Sequence, residues 1–164
     1  MGDKLWDLIV VGSGPAGLAA ARAAGERGLD VALLDRSGAP RSRLGSGVMS
    51  SFAAGLVTDL FGLDLSEMLI EPRELRGLRL HLSPKHSYEV GLGQQAHVVD
   101  RSKMESSLLR ACTVTHVRRC EVGELLEGPH EVRVRGVVEG RPFTPRARYV
   151  IDASGRESVG LPAR

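Results

Sequence analysis

The chain lacks any apolar run long enough to cross a bilayer. It also lacks a leader built from a basic stretch, a long apolar run and a small-residue cleavage site. Gly2 follows Met1, but Trp6 stands where a myristoylation motif needs Ser or Thr. The compartment these absences imply is the cytoplasm. Cysteine is scarce: Cys112 and Cys120 make neither a metal-ligand spacing nor a disulfide framework, and they read as small buried apolar residues. A charge of one sign is lacking too. The 22 Lys and Arg against 20 Asp and Glu leave a formal net charge of +2, which gives no reason to expect nucleic acid as a partner. Short basic runs such as Arg118-Arg119 read as solvated surface. His81, His86, His97, His116 and His130 are scattered, and the pair flanking a turn, His81 and His86, has no third metal ligand. No side chain stands out as a catalytic acid or base.

Internal repeats, low-complexity tracts and linkers are likewise missing, so the 164 residues read as a single domain over residues 1–164. That length supports a real core, but not a cofactor domain with a complete second domain. With 42% hydrophobic and 26% charged residues, the composition is that of an ordinary globular protein.

The pattern of elements is α/β. Asp7 to Val11 is an apolar, β-branched run ending in glycine, as in a buried parallel strand. A helix is expected from Pro15 to Arg27, stopped by Gly28, with small residues that allow close packing on a sheet. Val31 to Asp35 reads as the second buried strand, completing a right-handed βαβ unit. Residues 36 to 48 are expected to form a loop and Ser50 to Leu60 a helix. Leu75 to Leu82 and Ser87 to Leu92 read as an antiparallel pair turned by Ser83-Pro84-Lys85. Ser102 to Ala111 is a second good helix, with Ser102 and Glu105 fitting a capping box and Met104, Leu108 and Ala111 on one face. Strands are expected at Val114 to Arg118, Val132 to Val138 and Ala147 to Ile151. The expected fold is therefore a Rossmann-like domain with a parallel sheet and a small antiparallel β portion.

Gly12-Ser13-Gly14-Pro15-Ala16-Gly17 is G-x-G-x-x-G after a strand and at a helix start. Gly12 permits the tight turn, Gly14 lets a pyrophosphate approach the backbone, and Gly17 lets the helix lie close to the strand. The helix start, at Pro15 and Ala16, turns free N–H groups and a partial positive charge toward phosphates. Asp35 ends the second strand eighteen residues after Gly17, placed to accept from a ribose 2′-hydroxyl and to repel a 2′-phosphate, an effect Arg36 weakens. A turn of this kind can also serve only to pack a helix on a sheet. Strand, helix, strand and acid in register favour a dinucleotide, and leave NAD and FAD both open.

Three segments in order resemble the para-hydroxybenzoate hydroxylase superfamily of flavoproteins, and most of all its geranylgeranyl reductase branch. They are Asp7 to Arg36, the Val98-Val99-Asp100-Arg101 segment before a helix, and Ala147 to Ser158 with its strand and Asp152-Ala153-Ser154-Gly155. The resemblance implies FAD as cofactor. It implies that Asp35 holds the adenosine ribose, with the family's frequent basic residue, Arg36, following it at the cofactor site, that Arg101 touches the cofactor, and that Asp152 and Gly155 lie along the pyrophosphate. Arg43-Leu44-Gly45-Ser46-Gly47-Val48 resembles the branch's Cys-Gly-Gly-Gly-Val stretch, which implies Arg43 and Gly47 near the flavin; Leu44 stands where Cys is usual and Ser46 where Gly is. A surface loop is the other reading of that stretch. The chain ends before the family's ribityl-binding Gly-Asp segment and before most of its substrate sheet. It reads as the N-terminal portion of a longer architecture, with a missing region or a second chain completing the flavin site.

The expected function is an FAD-binding oxidoreductase module. It passes electrons from NAD(P)H through flavin to an isoprenoid-like or aromatic small molecule. Two alternatives stand beside it: a non-catalytic dinucleotide-binding module, and an NAD-dependent dehydrogenase, which leaves the Arg101 and Asp152 segments unexplained.

Overall fold

The computed structural model describes residues 4–37, 47–70, 75–117 and 119–155. The chain divides into two compact units, residues 1–41 with 105–164, and residues 42–104.

The first unit is built on four parallel strands: β1 (Leu5–Val11), β2 (Val31–Leu34), β6 (Thr115–Val117) and β10 (Arg146–Asp152). Their spatial order is β6-β2-β1-β10, so each strand is parallel to its neighbour and the chain reverses direction of growth between β1 and β10. β10 then pairs antiparallel with β8 (Val132–Val138), which pairs with β7 (Cys120–Glu127) and β9 (Arg141–Phe143). Alternation along β1 and β2 sends side chains to both faces, and both faces are buried. Leu8, Val10, Val31 and Leu33 share the face covered by helix α1 (Pro15–Gly25), whose Gly17, Leu18, Ala21 and Ala24 are buried. Ile9, Val11, Ala32 and Leu34 pack instead with Cys120 and Val134 of the antiparallel strands and with Trp6 and Ala147. The parallel strands therefore lie between a helix and the antiparallel strands, so the core is two-sided.

α1 stops at Gly25, two residues short of the expected end, because its last turn tightens. Arg27 N–H donates to Ala24 O (3.1 Å) and Gly28 N–H to Gly25 O (2.9 Å), both three residues back. Gly28 then takes a left-handed φ of 78° that a side chain would strain. The guanidinium of Arg22 donates to Ala111 O at 2.6 Å and ties α1 to the end of helix α3 (Arg101–Ala111).

The second unit contains an antiparallel sheet in the order β3-β5-β4: β3 (Val48–Ser50), β5 (His86–Val98) and β4 (Leu75–Ser83). Helix α2 (Ser51–Phe61) follows β3 directly, capped by the Ser50 hydroxyl, which accepts from Ala53 N–H at 3.2 Å. The β4–β5 hairpin pairs Leu78 with Val90 and Leu80 with Tyr88, so one face is apolar and exposed, and the other carries the Arg79–Glu89 ion pair.

Several sequence expectations need correction. α3 has no Ser102–Glu105 capping box at its start. Asp100 caps it, with Oδ1 accepting from Ser102 N–H (3.0 Å) and Lys103 N–H (3.1 Å), so helix entry lies one residue earlier. Met104 and Leu108 are buried as expected, while Ala111 is only half-buried. Cys120 is buried but Cys112 only partly so. β3 runs from the last residue of the expected loop, Val48, to the expected first helix residue, Ser50, and β7 and β9 are unanticipated strands. β7 carries a register shift between Val122 and Glu124, which breaks its two-residue alternation. β9 contains Pro142, tolerable because it pairs only with β8. The strand expected from Val114 to Arg118 is Thr115–Val117, and Arg118 lies outside the described residues. No helix among the described residues is long and apolar enough to cross a membrane.

Candidate cofactor site at the strand ends

The C-terminal ends of β2, β1 and β10 stand side by side, with Val11 opposite Leu34 on one flank and Asp152 on the other. Sheets of this kind bind ligands outside the strand ends, where the order reverses, here between β1 and β10. Gly12 N–H donates to Leu34 O (2.8 Å) and Ala153 N–H to Val11 O (2.8 Å), so the turns leaving β1 and β10 begin in register.

The three glycines of the turn behave differently. Gly12 has a φ of 101°, and a Cβ there would lie 2.5 Å from Ala153 O and 3.0 Å from Ser154 Cα. A Cβ on Gly17 would lie 1.8 Å from Gly12 O. Both positions are closed by backbone, so they hold the turn against α1 and the Asp152–Gly155 segment. A Cβ on Gly14 would meet nothing within 4 Å. Gly14 is the N-cap of α1, Pro15 follows it, and no side chain caps the helix or places an acid in its first turn. The helix start is a cluster of backbone donors facing open space that a side chain at residue 14 would fill.

Asp35, immediately after β2, is 1% exposed. Its backbone is fastened on both sides: Asp35 N–H donates to Val117 O (2.9 Å), and Cys120 N–H donates to Asp35 O (2.7 Å). Its Oδ1 accepts from Ser37 N–H (2.9 Å) and the Ser37 hydroxyl (3.0 Å). Arg36 is exposed beside it. Asp152 at the end of β10 has the same arrangement, with Oδ1 accepting from Ser154 N–H (3.0 Å) and the Ser154 hydroxyl (2.5 Å). Gly155 follows in the left-handed region, φ 82°, where glycine is favoured. Burial, and then the negative charge of Asp35, push the Cys120 thiol up to about 11, so it is no thiolate nucleophile at neutral pH.

Gly12, Gly14, Pro15, Ala16, Gly17, Asp35, Arg36, Asp152 and Gly155 thus belong to one unit, at the ends of its central strands. Gly47 and Arg101 belong to the other. Gly47 has a φ of 67°, and its carbonyl accepts from Val99 N–H (2.8 Å), two residues before Arg101 at the start of α3. Arg43 lies outside the described residues. Sequence reasoning passed over Ser37 and Ser154. The signal available was the Asp-x-Ser spacing after each strand, which favours a side-chain turn. Among the described residues no group of three or more His, Cys, Asp or Glu is arranged to hold a metal.

The family of FAD dependent oxidoreductases matches residues 7–161. A digeranylgeranylglycerophospholipid reductase of Methanocella arvoryzae is 29% identical over 161 residues, covering 93% of this chain and 40% of that protein. The reductase of the same description from Methanosarcina acetivorans is 29% identical over 163 residues, covering 94% of this chain and 39% of that protein. Among solved structures, the myxobacterial chondrochloren halogenase CndH, described as a variant of FAD-dependent halogenases, superposes with a TM-score of 0.76 at 26% identity, over 94% of this chain and 38% of that one. The chain thus spans about two fifths of the length of these proteins.

Proposed function

Because this chain belongs to the family of FAD dependent oxidoreductases, we propose that the strand ends of its first unit hold the ADP half of FAD. The observation that carries the reading is the contrast among the glycines. Gly12 and Gly17 are closed by backbone, while Gly14 opens onto the uncapped start of α1. A packing turn needs the first two; the third lies at an open helix start, where a phosphate can approach the backbone.

In this reading the N–H groups at the start of α1 take the pyrophosphate, and the helix dipole favours its charge. Asp35 accepts from the adenosine ribose hydroxyls, with Arg36 beside it, and Asp152 and Gly155 shape the wall of the turn. Gly47, Arg43 and Arg101 serve the flavin side, and the whole chain acts as one cofactor-binding domain. FAD, when bound, supplies the electron transfer, with NAD(P)H as the donor. The acceptor is an apolar small molecule, either an isoprenoid, in line with the names of the similar reductases, or an aromatic.

Gly14→Val tests the assignment. The variant is expected to fold, since a Cβ at residue 14 meets nothing, yet to lose bound flavin. Wild-type flavin content in the folded variant would remove the pyrophosphate from this turn.

A further inference from the structure

Two carboxylates bracket the turn assigned to a diphosphate. Asp35 and Asp152 follow or end the strands on either side of β1, and each is bound in the same way by the serine two residues on. An anion beside an anionic ligand is unfavourable unless its charge is engaged and its direction fixed. Two donors on one oxygen do both: they draw the charge toward the serine and hold the carboxylate plane against rotation. The second clamp also touches the phosphate turn, since Ser154 Cα and Ala153 O are the atoms that close the space at Gly12.

We propose that Ser37 and Ser154 are positioning residues of the cofactor site, acting through Asp35 and Asp152. The proposal rests on the FAD reading above. The two clamps differ in what they position. Ser37 sets the carboxylate that meets the ribose hydroxyls, so it governs recognition of the 2′-hydroxyl. Ser154 sets the Asp152–Gly155 turn against Gly12, so it governs the pyrophosphate, whatever the sugar. Asp152 works here as an acceptor for Ser154 and not as a contact of the cofactor.

Calorimetric titration of the full chain with ADP and with 2′-deoxy-ADP separates these roles. Wild-type protein is expected to prefer ADP. Ser37→Ala should shrink that preference about three- to ten-fold, the worth of one net hydrogen bond, and Ser37→Thr, which keeps the hydroxyl, should restore it. Ser154→Ala should weaken both nucleotides by a similar factor with their ratio unchanged, and Ser154→Thr should restore both. Urea unfolding of each variant reports any loss of stability separately. An unchanged ADP preference in Ser37→Ala, or unchanged affinity for both nucleotides in Ser154→Ala, overturns the clamps and leaves the FAD reading standing. A wild-type chain that binds neither ADP nor FAD overturns that reading, and the clamps with it.

Discussion

At Gly17 the space for a side chain is already taken by the carbonyl of Gly12, 1.8 Å from where a Cβ would stand. Gly17→Ala must therefore displace backbone, and is expected to cost about 3 kcal/mol or more in urea unfolding. Gly14→Ala, three residues earlier, is expected to leave stability within about 0.5–1 kcal/mol of wild type, because the site is open and extended backbone suits alanine. The same motif thus contains two glycines the backbone packing requires, Gly12 and Gly17, and one it does not, Gly14. Cys120 gives a residue-scale prediction in pH. Its thiol is raised from 9.0 to about 11 in the folded chain, so between those values the folded state holds a proton the unfolded state has lost. Its contribution is complete below pH 9 and is lost as pH rises toward 11. Unfolding free energies compared between wild type and Cys120→Ala should converge across that window. A difference that stays constant from pH 8 to 11 would show that the thiol is not shielded.

Among the elements, those with strong local signals were legible. β1, α1 and β2 follow from an apolar run, a glycine turn with Pro15, and a second apolar run, and β8 from the Val132-Arg133-Val134-Arg135 alternation and the valines after it. The β4–β5 hairpin followed from Ser83-Pro84-Lys85. Elements without such signals were missed for identifiable reasons: β7 has its alternation broken by a register shift, and β9 is three residues long with a proline in it. The order β6-β2-β1-β10, which sets the strand ends together, depends on pairings across most of the chain and is not written in any local window. The serine partners of Asp35 and Asp152 were passed over for another reason: the Asp-x-Ser spacing is common, and by itself it signals only a turn. The start of α3 supplies an element-scale test. Asp100→Ala should destabilise the protein by about 1 kcal/mol, the usual cost of a lost N-cap, while Ser102→Ala should cost less than half of that. The reverse order in thermal unfolding would restore the capping box.

For the molecule as a whole, the fold is a three-layer α/β unit accompanied by a small antiparallel unit, and the family match extends over nearly all of both. The antiparallel unit presents an apolar face of Leu78, Leu80, Leu82, Tyr88 and Val90, and the chain spans about two fifths of its reductase relatives. The proposed property this chain's own strand ends should show is cofactor retention. Stability should respond accordingly: FAD and ADP should each raise the thermal midpoint in a concentration-dependent way, and FMN, which lacks the adenosine half, should raise it far less. The most direct measurement is the cofactor released when the purified chain is denatured. A yellow protein is expected, releasing FAD whose fluorescence rises when its pyrophosphate is cleaved. A colourless chain whose thermal midpoint is raised by NAD and not by FAD would contradict the FAD reading.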